Sequence, residues 1–168
     1  MKKLLISVFL VGFVTQQYAQ DLPVQQLNEV FIVATNYKYL DKISAEDVAV
    51  PVKELQRRAA TYNVKSLDIY QDDYDYYEVS FVIPEGKILA SYDRDGKILR
   101  TAEKYKMVDL PTPVLKSIAQ RFPNWSITKN VYRVFYHETD GVKMKYKITL
   151  ENGDQRMKVK VDDEGNFL

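Results

Sequence analysis

The sequence predicts an α+β protein made of two tandem units, in each of which one helix packs on an antiparallel β-sheet. The first observation is an amphipathic helix, begun by Pro113, that is followed by strands. The second is a weaker copy about sixty residues upstream, with Pro51 at the place of Pro111. The third is a pair of closing segments, 93–99 and 162–168, that share an Asp, a Gly and a final Leu in the same order. A repeat of this length indicates a duplicated structural unit.

The second unit, 109–168, has the clearer pattern. Its helix carries apolar residues at helical spacing, namely Val114, Leu115, Ile118, Ala119 and Phe122. Strands are predicted near Ser126–Tyr136, Val142–Leu150 and Gln155–Val161. Asn152-Gly153 fits a two-residue loop of type I′. The resulting register pairs Ile148 with Met157, Tyr146 with Val159 and Met144 with Val161 on the buried face, and Lys147 with Lys158 and Lys145 with Lys160 on the other.

The first unit, 50–108, is predicted by analogy with the second. Its helix is expected over Lys53–Thr61, with Leu55 and Ala59 facing the sheet as Leu115 and Ala119 do. Strands are expected near Ser66–Tyr70, Tyr76–Ile83 and Lys87–Asp93, with a turn at Pro84-Glu85-Gly86. Residues 100–109 are interpreted as an ordered connection that could extend the last strand.

The N-terminus has the pattern of a secretory signal. Lys2 and Lys3 precede the apolar run Leu4–Val14, and Ala19 offers a small residue at the cleavage position. We therefore expect residues 1–19 to be removed after Ala19 and the mature protein to be periplasmic or secreted. No later run is long enough to span a bilayer. Residues 20–49 are interpreted as a lead-in segment, in which Val30–Val33 is a possible edge strand.

Composition narrows the function classes. The chain has no cysteine, so its core must hold the fold without disulfides. Its formal net charge is +1, and removal of two lysines with the signal segment leaves −1, so no general attraction to nucleic acid or membranes is implied.

Catalytic and metal-binding patterns are lacking in the sequence. His137 is the one histidine, and no serine elbow motif or glycine-rich phosphate loop accompanies it. The segment Asp93–Gly96 is interpreted as a turn rather than a calcium loop. The acidic and aromatic stretch Asp72–Glu78 is either a site for a cation or basic peptide or a solvated hairpin end, and the second interpretation is favoured. We therefore predict no catalytic residues, metal ligands or cofactor.

The second unit resembles the PepSY-like family, the β-lactamase-inhibitor-like domains of secreted bacterial proteins. The resemblance rests on Leu110-Pro111, Arg121-Phe122-Pro123, the lysine-rich strand Val142–Leu150, Asn152-Gly153 and Asp162–Gly165. It covers 110–168 and, more loosely, 50–99. The resemblance implies tandem helix-on-sheet domains and no established activity. Inhibitor-like members bind through the sheet surface, which implies protein binding here by analogy alone.

Three functions remain open at this stage. The first is a non-catalytic exported binding protein, for example a protein or peptidase inhibitor. The second is an accessory structural module of the envelope. The third is an enzyme of the nicotinate-nucleotide adenylyltransferase type, because similar chains carry that label. Such enzymes use a His-x-Gly-His phosphate motif, which a single histidine cannot supply.

A candidate partner-binding face follows from the strands of the second unit. A three-residue loop with Gly141 in the left-handed conformation would bury Tyr132, Val134 and Tyr136 and would avoid burying Arg133. The outward face would then carry Arg133, Phe135, Lys145, Lys147, Lys158 and Lys160. This face is either a solvated surface that resists aggregation or a docking surface for an acidic protein or peptide, with Phe135 as the apolar anchor. The oligomeric state is left open.

Overall fold

The computed structural model describes residues 35–43 and 48–168. The predicted signal segment, its cleavage site and the possible strand Val30–Val33 lie outside these residues. The helices are α1 (Tyr37–Ile43), α2 (Val50–Ala60), a 3₁₀ turn (Val64–Ser66) and α3 (Thr112–Arg121). The strands are β1 (Tyr77–Ile83), β2 (Gly86–Tyr92), β3 (Ile98–Lys106), β4 (Ser126–His137), β5 (Gly141–Asn152) and β6 (Gln155–Val161).

All six strands form one antiparallel sheet in the order β1-β2-β3-β4-β5-β6. The prediction of two tandem units, each with its own sheet, is therefore wrong. The two halves join where β3 pairs with β4, from Arg100 opposite His137 to Lys106 opposite Val131. The connection 100–109 is thus mostly a central strand. The segment that follows β3 is fixed by the buried side chain of Asn130, because its Oδ1 accepts from Val108 N and its Nδ2 donates to Val108 O.

The strand expected near Ser66–Tyr70 is also wrong. Local side-chain bonds favour a turn there instead: Asn63 Oδ1 accepts from Lys65 N, and Ser66 Oγ donates to Asn63 O. Such bonds offer the backbone an alternative to a sheet ladder. The 3₁₀ turn and the loop that follows lead to β1, whose predicted bounds are close to those observed.

The helices of the two halves are not equivalent. α2 and α3 both begin with a proline in the first helical positions. In α2, Leu55 and Ala59 are buried as predicted, but in α3 Leu115 is 45% exposed. α3 instead buries Val114 and Ile118, so its buried stripe is rotated relative to the prediction. In the described part of the first half a second α-helix, α1, adds Tyr39 and Ile43 to the core, although the sequence reading took this stretch as a lead-in.

The predicted faces of β4 to β6 are confirmed, while one register is wrong. The β4–β5 hairpin closes with His137 opposite Gly141, which has φ 78°, and it buries Tyr132, Val134 and Tyr136. The β5–β6 loop is Gly153-Asp154 rather than Asn152-Gly153, because Asn152 pairs with Gln155. Each residue of β5 therefore pairs with the β6 residue two positions later than predicted. Since side chains alternate with period two, this shift changes the partners but leaves each side chain on its predicted face.

Candidate binding face

The sheet has one covered face and one open face. On the covered face, side chains such as Ile88, Tyr105, Tyr132 and Ile148 are at most 1% exposed. α1 and α2 pack against this face, since Tyr39 and Gln56 reach a carboxylate on β3. The open face is formed by the outward side chains of the same strands. It contains most of the exposed charge of the sheet, and it is the candidate functional site.

Four cations on the open face stand directly opposite one another in four successive strands. Lys87 on β2 faces Lys104 on β3, Lys104 faces Arg133 on β4, and Arg133 faces Lys145 on β5. We call these four residues the basic row. Lys147 on β5 faces Lys160 on β6 in the next row. Further basic side chains of the open face are Lys106, Lys129, Lys143 and Lys158.

No member of the basic row takes part in an ion pair of the described residues. The ion pairs within residues 35–43 and 48–168 join other residues. The outward glutamates Glu78 and Glu151 are each paired with an arginine, Arg100 at 2.9 Å and Arg156 at 3.2 Å. The whole chain carries a net charge of only +1, whereas the outward positions of β2 to β6 carry many more basic than acidic side chains, so positive charge is in local excess on this face. Like charges directly opposite across strands each cost about 0.2–1 kcal/mol, so stability does not account for the row.

An apolar rung lies beside the basic row. Leu89, Ala102 and Phe135 are directly opposite one another on β2, β3 and β4. Leu89 is 40% exposed and Phe135 is 41% exposed. A pocket of about 470 Å³ opens over this rung. The open face therefore combines positive charge that is in no ion pair with exposed apolar surface.

The six residues predicted from the sequence all lie on the open face. Arg133 and Lys145 are opposite each other in the basic row, and Lys147 and Lys160 are opposite each other in the next row. Lys158 lies farther along β6, opposite Thr149. Phe135 is opposite Lys143, and Lys145 Nζ lies 5.9 Å from the centroid of its ring. The predicted pairs of Lys145 with Lys160 and of Lys147 with Lys158 are wrong because of the shifted hairpin.

Sequence reasoning missed the half of the face that lies on β2 and β3. Lys104 was assigned to a connection, and Lys87 was not related to the second half of the chain. The missing signal was an alternation over Ile98–Lys106, in which Thr101, Glu103 and Tyr105 point to the covered face. This pattern is hard to recognise because two of the inward residues, Thr101 and Glu103, are polar, whereas a buried strand face is normally apolar.

Glu103 is the one acidic side chain on the covered face of the described strands, and it is enclosed. It is 2% exposed and accepts four hydrogen bonds. The donors are Tyr39 OH at 2.7 Å, Gln56 Nε2 at 2.8 Å, Tyr105 OH at 2.8 Å and Thr101 Oγ1 at 2.9 Å. Burial raises the pKa of the Glu103 carboxyl, and the four bonds oppose that rise in part. A carboxylate so enclosed cannot reach a substrate, so Glu103 is a structural residue.

Other candidate chemistry is weak in the described residues. His137 lies in an exposed turn, where its Nδ1 is 2.9 Å from Thr139 Oγ1 and Thr139 Oγ1 donates to Asp140 at 2.7 Å. Nowhere in the described chain do three or more acidic or histidine side chains come together in a way that could hold a metal ion. Among the described helices, none has the length and apolar character of a membrane span. Asp72, Asp73 and Asp75 are exposed in the loop before β1.

Comparisons with known proteins find distant structural similarity. The chain matches no protein-family model and has no significant match among curated protein sequences. A solved structure described as a periplasmic protein, from Bacteroides eggerthii, matches 59% of this chain and 70% of its own, at 14% identity and a TM-score of 0.35. A BLIP-like protein from Bacteroides fragilis matches 58% of this chain and 68% of its own, at 15% identity and a TM-score of 0.31. Scores this low do not identify the function or partner of this chain, and the resemblance to the PepSY-like family stays a prediction from the sequence.

Proposed function

We propose that this protein is an exported, non-catalytic binding module whose open sheet face holds an acidic protein or peptide. The basic row carries the proposal. Lys87, Lys104, Arg133 and Lys145 repel one another across four strands, and no acidic side chain of the described chain pairs with them. Carboxylates of a partner would remove that repulsion and form charge-assisted hydrogen bonds.

The export part of the proposal is supported by the N-terminal pattern of Lys2, Lys3 and the apolar run Leu4–Val14. The non-catalytic part is supported by the enclosure of Glu103 and by the exposed position of His137 on a turn. An acidic protein is favoured over a nucleic acid because Phe135 is the one aromatic side chain among the outward positions of the described strands. Single-stranded nucleic acids are generally held on several stacked aromatic residues.

Binding through the basic row is tested with two variants of equal charge change. The first is Lys104→Glu with Lys145→Glu on the open face. The matched control is Lys38→Glu with Lys116→Glu, at exposed helix positions away from this face. Wild type and both variants are used to capture proteins from an envelope extract. Each captured protein is identified by mass spectrometry, purified and titrated against the three forms at low and high salt.

We expect the open-face variant to bind the purified partner at least about tenfold more weakly than wild type, a loss of about 1.4 kcal/mol. The control variant should bind as wild type does. Added salt should weaken wild-type binding, because screening acts on exposed charges. Equal affinity of the open-face and control variants would contradict the proposal. Equal retention of duplex DNA or anionic vesicles would also contradict it, since the surface would then be selecting charge alone.

A further inference from the structure

The open face has a distinct concave feature next to the basic row. Its floor is Ala102, and its two walls are Leu89 and Phe135. We call it the anchor pocket. Adjacent strands are about 4.8 Å apart, so the walls stand about 10 Å from each other with only a methyl group between them. The depression therefore results from a small residue between two large ones in a single rung.

The apolar walls of the anchor pocket suit an apolar side chain of a partner. The pocket holds about 470 Å³, near the lower end of the range for ligand sites. Its walls are apolar and 40–41% exposed in the free protein. Covering them would remove apolar area from water, which is the main favourable term in association. An aromatic ring between Leu89 and Phe135 is favoured over an aliphatic side chain, because offset or edge-to-face packing on Phe135 adds to the gain from burying apolar area.

The two sides of the pocket rim differ in charge. Toward β1 and β2, the side chain of Arg100 on β3 is already engaged: its Nη2 is 2.9 Å from Glu78 Oε1 and its Nε donates to Ser91 Oγ at 3.0 Å. On the β5 side, Lys143 is exposed, stands directly opposite Phe135, and takes part in no ion pair of the described residues. Asp140 also lines the rim, where its Oδ1 accepts from Thr139 Oγ1 at 2.7 Å and lies 4.0 Å from His137 Nδ1. The rim therefore offers Lys143 as a positive charge that is in no ion pair of the described residues, beside an apolar slot.

We propose that the anchor pocket receives an aromatic side chain of the acidic partner, while a neighbouring carboxylate of that partner pairs with Lys143. This inference rests on the proposed function and adds a specificity element to it. The basic row attracts acidic segments of many sequences, whereas the pocket selects those with an aromatic residue among the acidic ones. Phe135 accordingly acts as a wall that holds the partner's anchor, and not as an anchor inserted into the partner.

The test uses three blocked synthetic peptides with the full-length mature protein. The first is Glu-Asp-Phe-Asp-Glu, the second has Ala in place of Phe, and the third keeps Phe but has Gln and Asn in place of the acids. Ala102→Trp fills the pocket, and Leu89→Ala removes one wall. Val82→Ala is the matched control, because Val82 is an exposed outward residue of β1 that does not line the pocket. Affinities are measured by calorimetry, and contacts by chemical-shift changes at Leu89 and Phe135.

We expect the Phe peptide to bind wild type about tenfold more tightly than the Ala peptide, equivalent to about 1.4 kcal/mol. Ala102→Trp and Leu89→Ala should abolish that difference, and Val82→Ala should keep it. Lys104→Glu with Lys145→Glu should weaken both acidic peptides by the same factor.

The possible failures are distinguishable. Equal affinity of the Phe and Ala peptides, with both still weakened by the charge reversal, would overturn the pocket and leave the proposed function standing. Tighter binding of the neutral Phe peptide than of the acidic Ala peptide, unaffected by charge reversal, would overturn the role of the basic row. No binding of any peptide to wild type would overturn both. Unchanged thermal unfolding of each variant excludes loss of the fold as the cause.

Discussion

The covered and open faces of the sheet are built from alternate residues of the same strands, yet their charged side chains differ in whether they have partners within the protein. The covered face holds one carboxylate, Glu103, with four donors directed at it. The open face holds a row of cations, among them Lys104 and Arg133, that have no acidic partner in the described residues. One face bonds its charge within the protein, and the other leaves its charges without ion-pair partners in the described residues.

This difference separates the residues that stabilise the protein from those available for binding. A buried charge must be bonded within the protein, because water cannot reach it. An exposed charge is hydrated, so an unfavourable arrangement costs only tenths of a kcal/mol to about one per pair. Since adjacent residues such as Glu103 and Lys104 point to opposite faces, a substitution at one should alter stability and a substitution at the other should alter binding.

The largest effect is expected from Glu103→Leu. This change leaves the hydroxyls of Tyr39 and Tyr105 and the amide of Gln56 buried without their acceptor, and the free energy of unfolding should fall by about 3 kcal/mol or more. The matched change is Arg133→Leu on the neighbouring strand and the opposite face, for which we expect a change within about 0.5 kcal/mol. Urea unfolding measures both. Similar losses for the two variants would show that the faces do not differ as described.

A smaller loss is expected from Asn130→Ala on the covered face. The Asn130 side chain bonds both backbone groups of Val108, at 3.2 Å and 2.9 Å, and so secures the chain where the two halves of the sheet join. Removing it should cost about 1–3 kcal/mol, the penalty of leaving buried backbone groups without partners. Lys129→Ala, one residue earlier and on the open face, serves as the control and should be nearly neutral. A neutral Asn130→Ala would mean that this joint does not depend on the amide.

The pH dependence of stability should carry the signature of Glu103. Burial raises the pKa of its carboxyl above the ordinary value of 4.5, so between 4.5 and the raised pKa the folded protein holds a proton that the unfolded chain releases. The stability from this group is fully present below 4.5 and is lost as the pH rises through the folded pKa. Glu103→Gln does not titrate there. Wild type should therefore lose stability relative to Glu103→Gln as the pH rises, and urea unfolding of both proteins over a pH series measures that loss. A constant or reversed difference between the two would contradict the prediction.

The smallest effect is expected on the open face. Lys104→Glu replaces two like-charge contacts, with Lys87 and Arg133, by two opposite-charge contacts. The free energy of unfolding at low salt should rise by a few tenths to about 1 kcal/mol, and the gain should shrink with added salt. Lys116→Glu on α3 is the control for net charge. A Lys104→Glu variant less stable than wild type would show that the basic row contributes to the fold.

Much of the second half was predictable because strand alternation is encoded locally. Tyr132, Val134 and Tyr136 alternate with Arg133 and Phe135, and a reading of the hairpin loops assigned each to the correct face. The turn after β5 was misplaced by one residue, since Asn152, Gly153 and Asp154 are all suitable loop residues. In the folded chain Gly153 has φ 57°, and Glu151 and Arg156 form an ion pair directly opposite each other. This error left the predicted faces of the side chains correct but made the predicted cross-strand pairs wrong.

The first half and the assembly of the sheet were less predictable. β3 carries Thr101 and Glu103 on its buried side, so a hydrophobicity pattern does not identify it as a central strand. The donors that permit Glu103 to be buried come from residues that are distant in sequence, Tyr39 on α1 and Gln56 on α2. Without those long-range bonds the local sequence favours an exposed connection.

The sequence alone determined which residues of β4 to β6 point outward, the absence of cysteine, and the near-neutral overall charge, because these depend on composition and on a two-residue period. Tertiary structure decided that six strands form a single sheet and that Lys87 and Lys104 extend the row begun by Arg133 and Lys145. The physical reason is that strand pairing joins residues far apart in the chain. The central strand β3 also buries a carboxylate, Glu103, that is bonded from helices elsewhere in the chain, and no local pattern reports those bonds.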